Sequence, residues 1–278
     1  MPTTILTNDE IVKRLSLVMI CVMLFGILIS LSGQPGSYWH HPETAIRGDG
    51  LSIYNPTNRT FEFFIGQGWL PYLIASLIYL SAAFLIVSFL PRTAALIVIF
   101  SFIFGHSYGA INWLAVRWQL GIGASSIYSV ALSALIVYSA FPKLNPGTDK
   151  IIKMFRWAAP GTVLIDFINT LLGQPAGYFI HPELVHEGNQ VSRFFLMQGW
   201  YAFIFYILIY LSGILWLISI LPLRIALICI FFFIIVGFAG ASNWYYFVWR
   251  MGMESPVIFG MILSILIVGL AFPKPEVG

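Results

Sequence analysis

Apolar residues gather along this chain in eight long blocks: Leu15–Ser32, Trp69–Leu90, Thr93–Ala115, Ser125–Phe141, Trp157–Leu172, Gly199–Leu221, Leu223–Phe247 and Pro256–Phe272. Seven hold 17–25 residues and Trp157–Leu172 holds 16, about the length a helix needs to cross the hydrocarbon core of a bilayer. The pattern therefore predicts eight transmembrane helices, the shortest extended by a turn into the interface. Polar positions collect in two long loops after the first and fifth blocks, at tight Leu-Pro hairpins, and in the segment 144–155, which carries Asn145-Pro146-Gly147 and scattered charges.

The pattern is also written twice. Gly33-Gln34-Pro35, Tyr38 and His41-Pro42-Glu43 return as Gly173-Gln174-Pro175, Tyr178 and His181-Pro182-Glu183, an offset of 140 residues. Gln67-Gly68-Trp69 returns as Gln198-Gly199-Trp200, and Gly109-Ala110-Ile111-Asn112-Trp113 as Gly240-Ala241-Ser242-Asn243-Trp244, now at an offset of 131. Ala140-Phe141-Pro142-Lys143 closes one half as Ala271-Phe272-Pro273-Lys274 closes the other. The expected fold is an all-α integral membrane protein of eight transmembrane helices in two parallel tandem repeats of four. An even number of spans per repeat places their pseudo-twofold axis along the membrane normal. The expected boundaries are 1–143 for the first repeat, 144–155 for a cytoplasmic linker and 156–278 for the second repeat. A four-helix ancestor acting as a symmetric dimer and then fused accounts for this plan.

Composition agrees with a membrane protein: 59% of residues are hydrophobic and 9% charged, with mean hydropathy +0.88. A soluble domain of this size needs more charge to cover its surface. With the N-terminus inside, Lys13, Arg14, Arg92, Lys143, Lys150, Lys153, Arg156, Arg224 and Lys274 face the cytoplasm, against Arg47, Arg59, Arg117, Arg193 and Arg250 outside. That asymmetry follows the positive-inside rule, so both termini are expected in the cytoplasm of a plasma or bacterial inner membrane. The net charge of +3 is taken up by topology and does not point to nucleic acid. Cys21 and Cys229 both fall inside expected spans and make no disulfide framework. The first span follows Lys13-Arg14 and shows no small-residue cleavage site, so it reads as a retained helix. Asn58-Arg59-Thr60 matches a glycosylation acceptor.

Small residues four apart, Gly105 with Gly109 and Gly237 with Ala241, predict close helix packing. Trp69, Trp113, Trp118, Trp200, Trp244 and Trp249 lie near the expected outer ends of spans and read as an aromatic belt. Asn112 and Asn243 are expected to tie the Gly-Gln-Pro corner to the bundle. In the outer loops, proline followed by glutamate in His41-Pro42-Glu43 and His181-Pro182-Glu183 favours a helix start, with Tyr38 and Tyr178 packed beneath. The same loops hold His40 and Asp49, and His186 and Glu187. Imidazole and carboxylate are ordinary metal ligands, so His181, Glu183, His186 and Glu187 are the candidate metal set, with no recognised spacing. The matched His41 and His181 near the pseudo-twofold axis could alternatively ligate one shared cofactor, whose identity the sequence does not give.

Two residues occur once only. Asp166 lies in a polar stripe with Thr162, Asn169 and Thr170, where the first half has Val22, Gly26, Ile29 and Ser30. A carboxylate inside a membrane helix costs roughly 2.5–3.5 kcal/mol on insertion scales and is a functional-site candidate; the alternative is a structural polar bond between helices, with Asp166 protonated or bonded to Asn112 or Asn243. His106 stands where the other half has Gly237. Asp166 and His106 each sit about ten ångströms below the outer end of their spans, at 1.5 Å per residue. Asp166, His106, Asn169 and Thr170 are therefore the candidate substrate or ion site. Three functions fit: a small-molecule or ion/proton-coupled transporter; a non-catalytic integral subunit of a larger complex, holding lipid, quinone or pigment; or a metal-dependent membrane enzyme. The partners expected are the lipid bilayer and either other membrane subunits or further copies of the chain.

Overall fold

The computed structural model describes residues 8–45, 58–142, 144, 148–252 and 254–272; Arg47, Asp49, Lys143, Asn145-Pro146-Gly147 and Lys274 lie outside them. It is 83% helical with no strand among the described residues. The helices are α1 (Asn8–Ser32), α2 (Asn58–Gln67), α3 (Trp69–Phe89), α4 (Arg92–Asn112), α5 (Gly121–Ala140), α6 (Thr148–Phe155), α7 (Ala158–Leu172), α8 (Gln190–Met197), α9 (Trp200–Ile220), α10 (Leu223–Asn243) and α11 (Glu254–Ala271).

Seven of them (α1, α3, α4, α5, α9, α10 and α11) are long and apolar enough to cross a membrane, which marks a polytopic membrane protein. The expected fifth span is α7, whose 15 residues reach about 22 Å, short of the roughly 30 Å hydrocarbon core. Residues 148–155, expected as linker, form the separate short helix α6.

Two compact units divide the chain: residues Met1–Lys143 with Met253–Gly278, and Leu144–Gly252. In the first, α4 packs against both α1 and α11, and α5 lies along α1. The core of α4 is continuous, with Ile99, Phe100, Ile103 and Phe104 fully buried. Ser101 Oγ donates to Ser264 Oγ at 3.2 Å between α4 and α11, and the Phe272 ring meets Phe141 and Phe100 at 5.6 and 6.0 Å. In the second unit, α10 packs along α7, α9 and α8 stack outward from α7, and α6 lies on α10.

Recurring motifs take the same local geometry. Leu90-Pro91 and Leu221-Pro222 end one helix and start the next, because proline has no amide hydrogen to continue the ladder. Gly68 and Gly199 precede α3 and α9 with φ of +120° and +108°, a backbone that favours glycine. After Asn112 and Asn243 the chain makes one π-helical turn, Trp113–Arg117 and Trp244–Val248. Trp118 and Trp249 amides reach back to the Trp113 and Trp244 carbonyls at 2.9 and 3.0 Å.

Three sequence expectations change here. Trp113 is fully buried and Trp244 nearly so, whereas Trp69, Trp118 and Trp249 are exposed. The Trp113 ring presses on Gly33 and the Trp244 ring on Gly173, so closely that a methyl group at either glycine collides with the indole. These two are keystones beneath the Gly-Gln-Pro corner rather than belt residues. The corner is thus held by the tryptophans and not by Asn112 and Asn243, whose Nδ2 and Oδ1 respectively have no hydrogen-bond partner among the described residues. Finally, Gly105 faces open space, while Gly237 is in backbone contact with α7.

Candidate functional site

The site is assembled on α7. Gly237 of α10 lets the two backbones touch: a Cβ there would stand 2.9 Å from the Val163 nitrogen and 3.0 Å from the Thr162 carbonyl carbon. About one helical turn further, the half-buried Asp166 carboxylate lies on Gly240, filling the space a side chain there would need. Among the described residues nothing donates a hydrogen bond to Asp166. Its neighbours are instead a second acid and two phenols. Glu187 lies within electrostatic reach of Asp166, as do Tyr206 and Tyr210 of α9. Phe167 meets both tyrosine rings edge-on, at 5.6 and 5.5 Å, and Phe195 of α8 stacks on Tyr206 at 4.7 Å.

Glu187 arrives from the loop between α7 and α8, and the recurring glutamine fixes that loop. Gln174 Nε2 donates to the Thr170 carbonyl at 2.6 Å and to the His186 carbonyl at 3.0 Å. The His186 amide returns a bond to Gln174 Oε1 at 2.8 Å. The next residue is thereby turned inward. The Glu187 carboxylate accepts from the Asn189 amide at 2.7 Å and lies beside Thr170. Burial pushes its carboxyl above the usual glutamate range, and the Asn189 and Gly188 amides and Thr170 partly offset that. Asn189 also caps α8 through Val191 and Ser192, and Ser192 lies beside Tyr206. A single chain of contacts therefore joins Gln174, Glu187, Asn189, Ser192 and Tyr206 around Asp166.

Of the residues singled out from sequence, Asp166 and Thr170 share this site with Glu187. Asn169 is buried one turn from Asp166, with its Nδ2 unpartnered among the described residues. His106 belongs to the first unit, where it is 4% exposed, stacks on Phe102 and has the Tyr79 hydroxyl 3.4 Å from Nε2.

The loop histidines take a different part. His41 and His181 each pair through Nδ1 with the glutamate two residues on, Glu43 and Glu183, both at 3.1 Å and both well exposed. The expected helix start is a single 3-10 turn, Pro42–Thr44 and Pro182–Leu184. Tyr38 and Tyr178 are fully buried; desolvation pushes the Tyr38 phenol up to about 12 and raises Tyr178 as well. The Glu43 carboxyl is held below its usual range by its own backbone amide and by His41. Among the described residues no three His, Cys, Asp or Glu side chains converge on a metal position: His181 and Glu183 pair with each other while Glu187 turns toward Asp166.

Sequence reasoning passed over Tyr206, Tyr210 and Ser192. The signal was present in Tyr206 and Tyr210, two hydroxyls one turn apart in a mostly apolar block. Two carboxylates within electrostatic reach of each other, with phenol rings nearby, favour binding of a proton or a cation, since like charges resist joint ionisation and aromatic faces attract positive charge. Comparison with known proteins adds no assignment: no family model, curated protein or solved structure matches the chain.

Proposed function

We propose that this polytopic protein is a carrier of the small-molecule or ion/proton-coupled kind, with Asp166 as the group that takes the proton or cation. The observation behind this is the meeting of Asp166 with Glu187 beside Tyr206 and Tyr210. An acid left without a hydrogen-bond donor inside an apolar bundle costs stability, and a transported positive charge removes that cost each time it binds. The carrier has eight transmembrane helices as two parallel four-helix repeats, 1–143 and 156–278, joined by 144–155, with both termini cytoplasmic. The matched π turns, tryptophan keystones and Leu-Pro hairpins support that plan. His106 with Tyr79 is a second polar station in the same carrier.

The test uses the full chain reconstituted in vesicles with a pH-sensitive dye inside and a pH gradient imposed. Asp166→Asn abolishes proton flux while the protein still inserts and unfolds normally, and Glu187→Gln reduces it. Undiminished flux in Asp166→Asn overturns the proposal. A second reading, a non-catalytic subunit of a membrane complex, is favoured by the exposed rings of Tyr201, Phe205 and Trp216 on α9. It predicts that the same variant alters recovery of stoichiometric membrane partners and leaves flux untouched.

A further inference from the structure

At the opposite end of the second unit, α6 meets the hairpin between α9 and α10. Phe155 anchors α6: it is fully buried and its ring stands 5.3 Å from Phe231 of α10. The next turn of chain is thereby held over a cavity of about 370 Å³ lined by Lys153, Arg156, Ile218, Ser219, Leu221 and Leu223. Among the described residues its charged lining is Lys153 and Arg156, both cationic, with no carboxylate. Among the described residues neither Lys153 nor Arg156 forms an ion pair, and Arg156 Nε is buried without a hydrogen-bond partner. The guanidinium lies 5.4 Å from the Trp157 ring centroid, which presents it as a fixed fork. The first turn of α10 begins at Leu223, adding the positive end of a 21-residue helix with its unbonded amides.

The surroundings say what kind of anion fits. Trp157 is exposed, and the short helix α6 puts apolar Ile151, Ile152 and Phe155 beside Lys153 and Arg156. A tryptophan beside an amphipathic basic helix lies at headgroup level in a bilayer. The cavity floor is aliphatic, from Ile218, Leu221 and Leu223. We infer that this cavity binds the phosphate of an anionic phospholipid, with Arg156 and Lys153 on the phosphate and the glycerol and upper acyl carbons against the aliphatic floor. Basic pockets between membrane helices bind anionic lipid headgroups in this way. The inference is independent of the role given to Asp166.

The experiment takes the full chain, delipidated in a neutral detergent, and titrates short-chain phosphatidylglycerol, short-chain phosphatidylcholine or inorganic phosphate. Thermal unfolding and native mass spectrometry are read together. Phosphatidylglycerol should raise Tm and remain bound as one molecule, while phosphatidylcholine and phosphate do neither. Each of Lys153→Gln and Arg156→Gln should weaken retention about fivefold. Ser219→Trp, at an exposed position on the rim, should block binding with every charge intact, which covers a charge variant that fails to fold. Equal stabilisation by inorganic phosphate overturns the lipid assignment in favour of a free-anion site. Unchanged retention in Ser219→Trp overturns the site itself.

Discussion

Tyr79 and Tyr210 stand 131 residues apart, the offset that relates the later motifs of the two halves, yet they face opposite chemistries. In the first unit Tyr79 of α3 meets an imidazole, His106 of α4. In the second, Tyr210 of α9 faces a carboxylate, Asp166 of α7. The ionisable group has changed from a base to an acid and has changed helix. Gly237, which replaces His106 in register, explains how. With no side chain at 237, the backbones of α7 and α10 touch, and Asp166 comes to rest on Gly240. With histidine at 106, the equivalent volume on α4 is filled by the imidazole and its ring neighbours. The local motifs recur in both halves of the sequence; the imidazole and the carboxylate each occur once at these positions. On the function proposed above, the departures from the pattern carry the chemistry and what recurs is scaffold.

If that division is right, removing a shared part should damage both units alike. Trp113→Ala and Trp244→Ala each empty an indole-sized space under a Gly-Gln-Pro corner, and each should lower stability by about 3–5 kcal/mol. Reversible unfolding in mixed micelles measures this, with the Trp113 variant at least as affected because that ring is the more buried. A large loss for one tryptophan and none for the other breaks the comparison.

The divergent parts should respond with opposite signs. Gly237→Ala places a methyl against packed backbone of α7 that cannot turn aside, at a cost of about 1–3 kcal/mol. Gly105→Ala meets nothing within 4 Å and gains helix propensity, up to about 1 kcal/mol in favour of folding. The same unfolding assay reads both. Equal losses at the two sites remove the argument that Gly237 is what brings Asp166 to α10.

Much of the frame was legible in the sequence because it depends on local chemistry. Apolar blocks gave the long helices, and Leu90-Pro91 and Leu221-Pro222 gave the hairpins. Asp166 stood out as a charge without a counterpart. What could not be read is non-local. Glu187 reaches Asp166 only because Gln174 clamps His186 twelve residues away, and nothing in the spacing of a loop announces such a clamp. Trp113 and Trp244 were misassigned because a tryptophan at a helix end serves an interface or a packing contact equally well. Only the glycine opposite, Gly33 or Gly173, separates the two. The block Trp157–Leu172 resembled the other seven in hydropathy, and its 15-residue helix became visible only once α6 was seen to leave it as a separate element.

The smallest effect tests how far the likeness of the two loops extends. Tyr178 and Tyr38 occupy matching positions and are equally buried. The Tyr178 hydroxyl donates to the Leu196 carbonyl at 2.8 Å, whereas the Tyr38 hydroxyl has no partner among the described residues. Leu196 keeps a donor without the phenol, since the Gly199 amide also reaches its carbonyl, at 2.9 Å. Tyr178→Phe therefore loses one hydrogen bond and leaves no acceptor stranded, a cost of about 0.5–1.5 kcal/mol. Tyr38→Phe removes a buried hydroxyl that nothing satisfies and should leave stability unchanged or raise it by about 1 kcal/mol. Unfolding of the two single variants and the double variant decides the point. Equal losses would mean that Tyr38 makes a bond like that of Tyr178 and that the loops are alike in detail. Opposite signs would show that only the second loop is fastened through its tyrosine hydroxyl, on the side where Glu187 lies within electrostatic reach of Asp166.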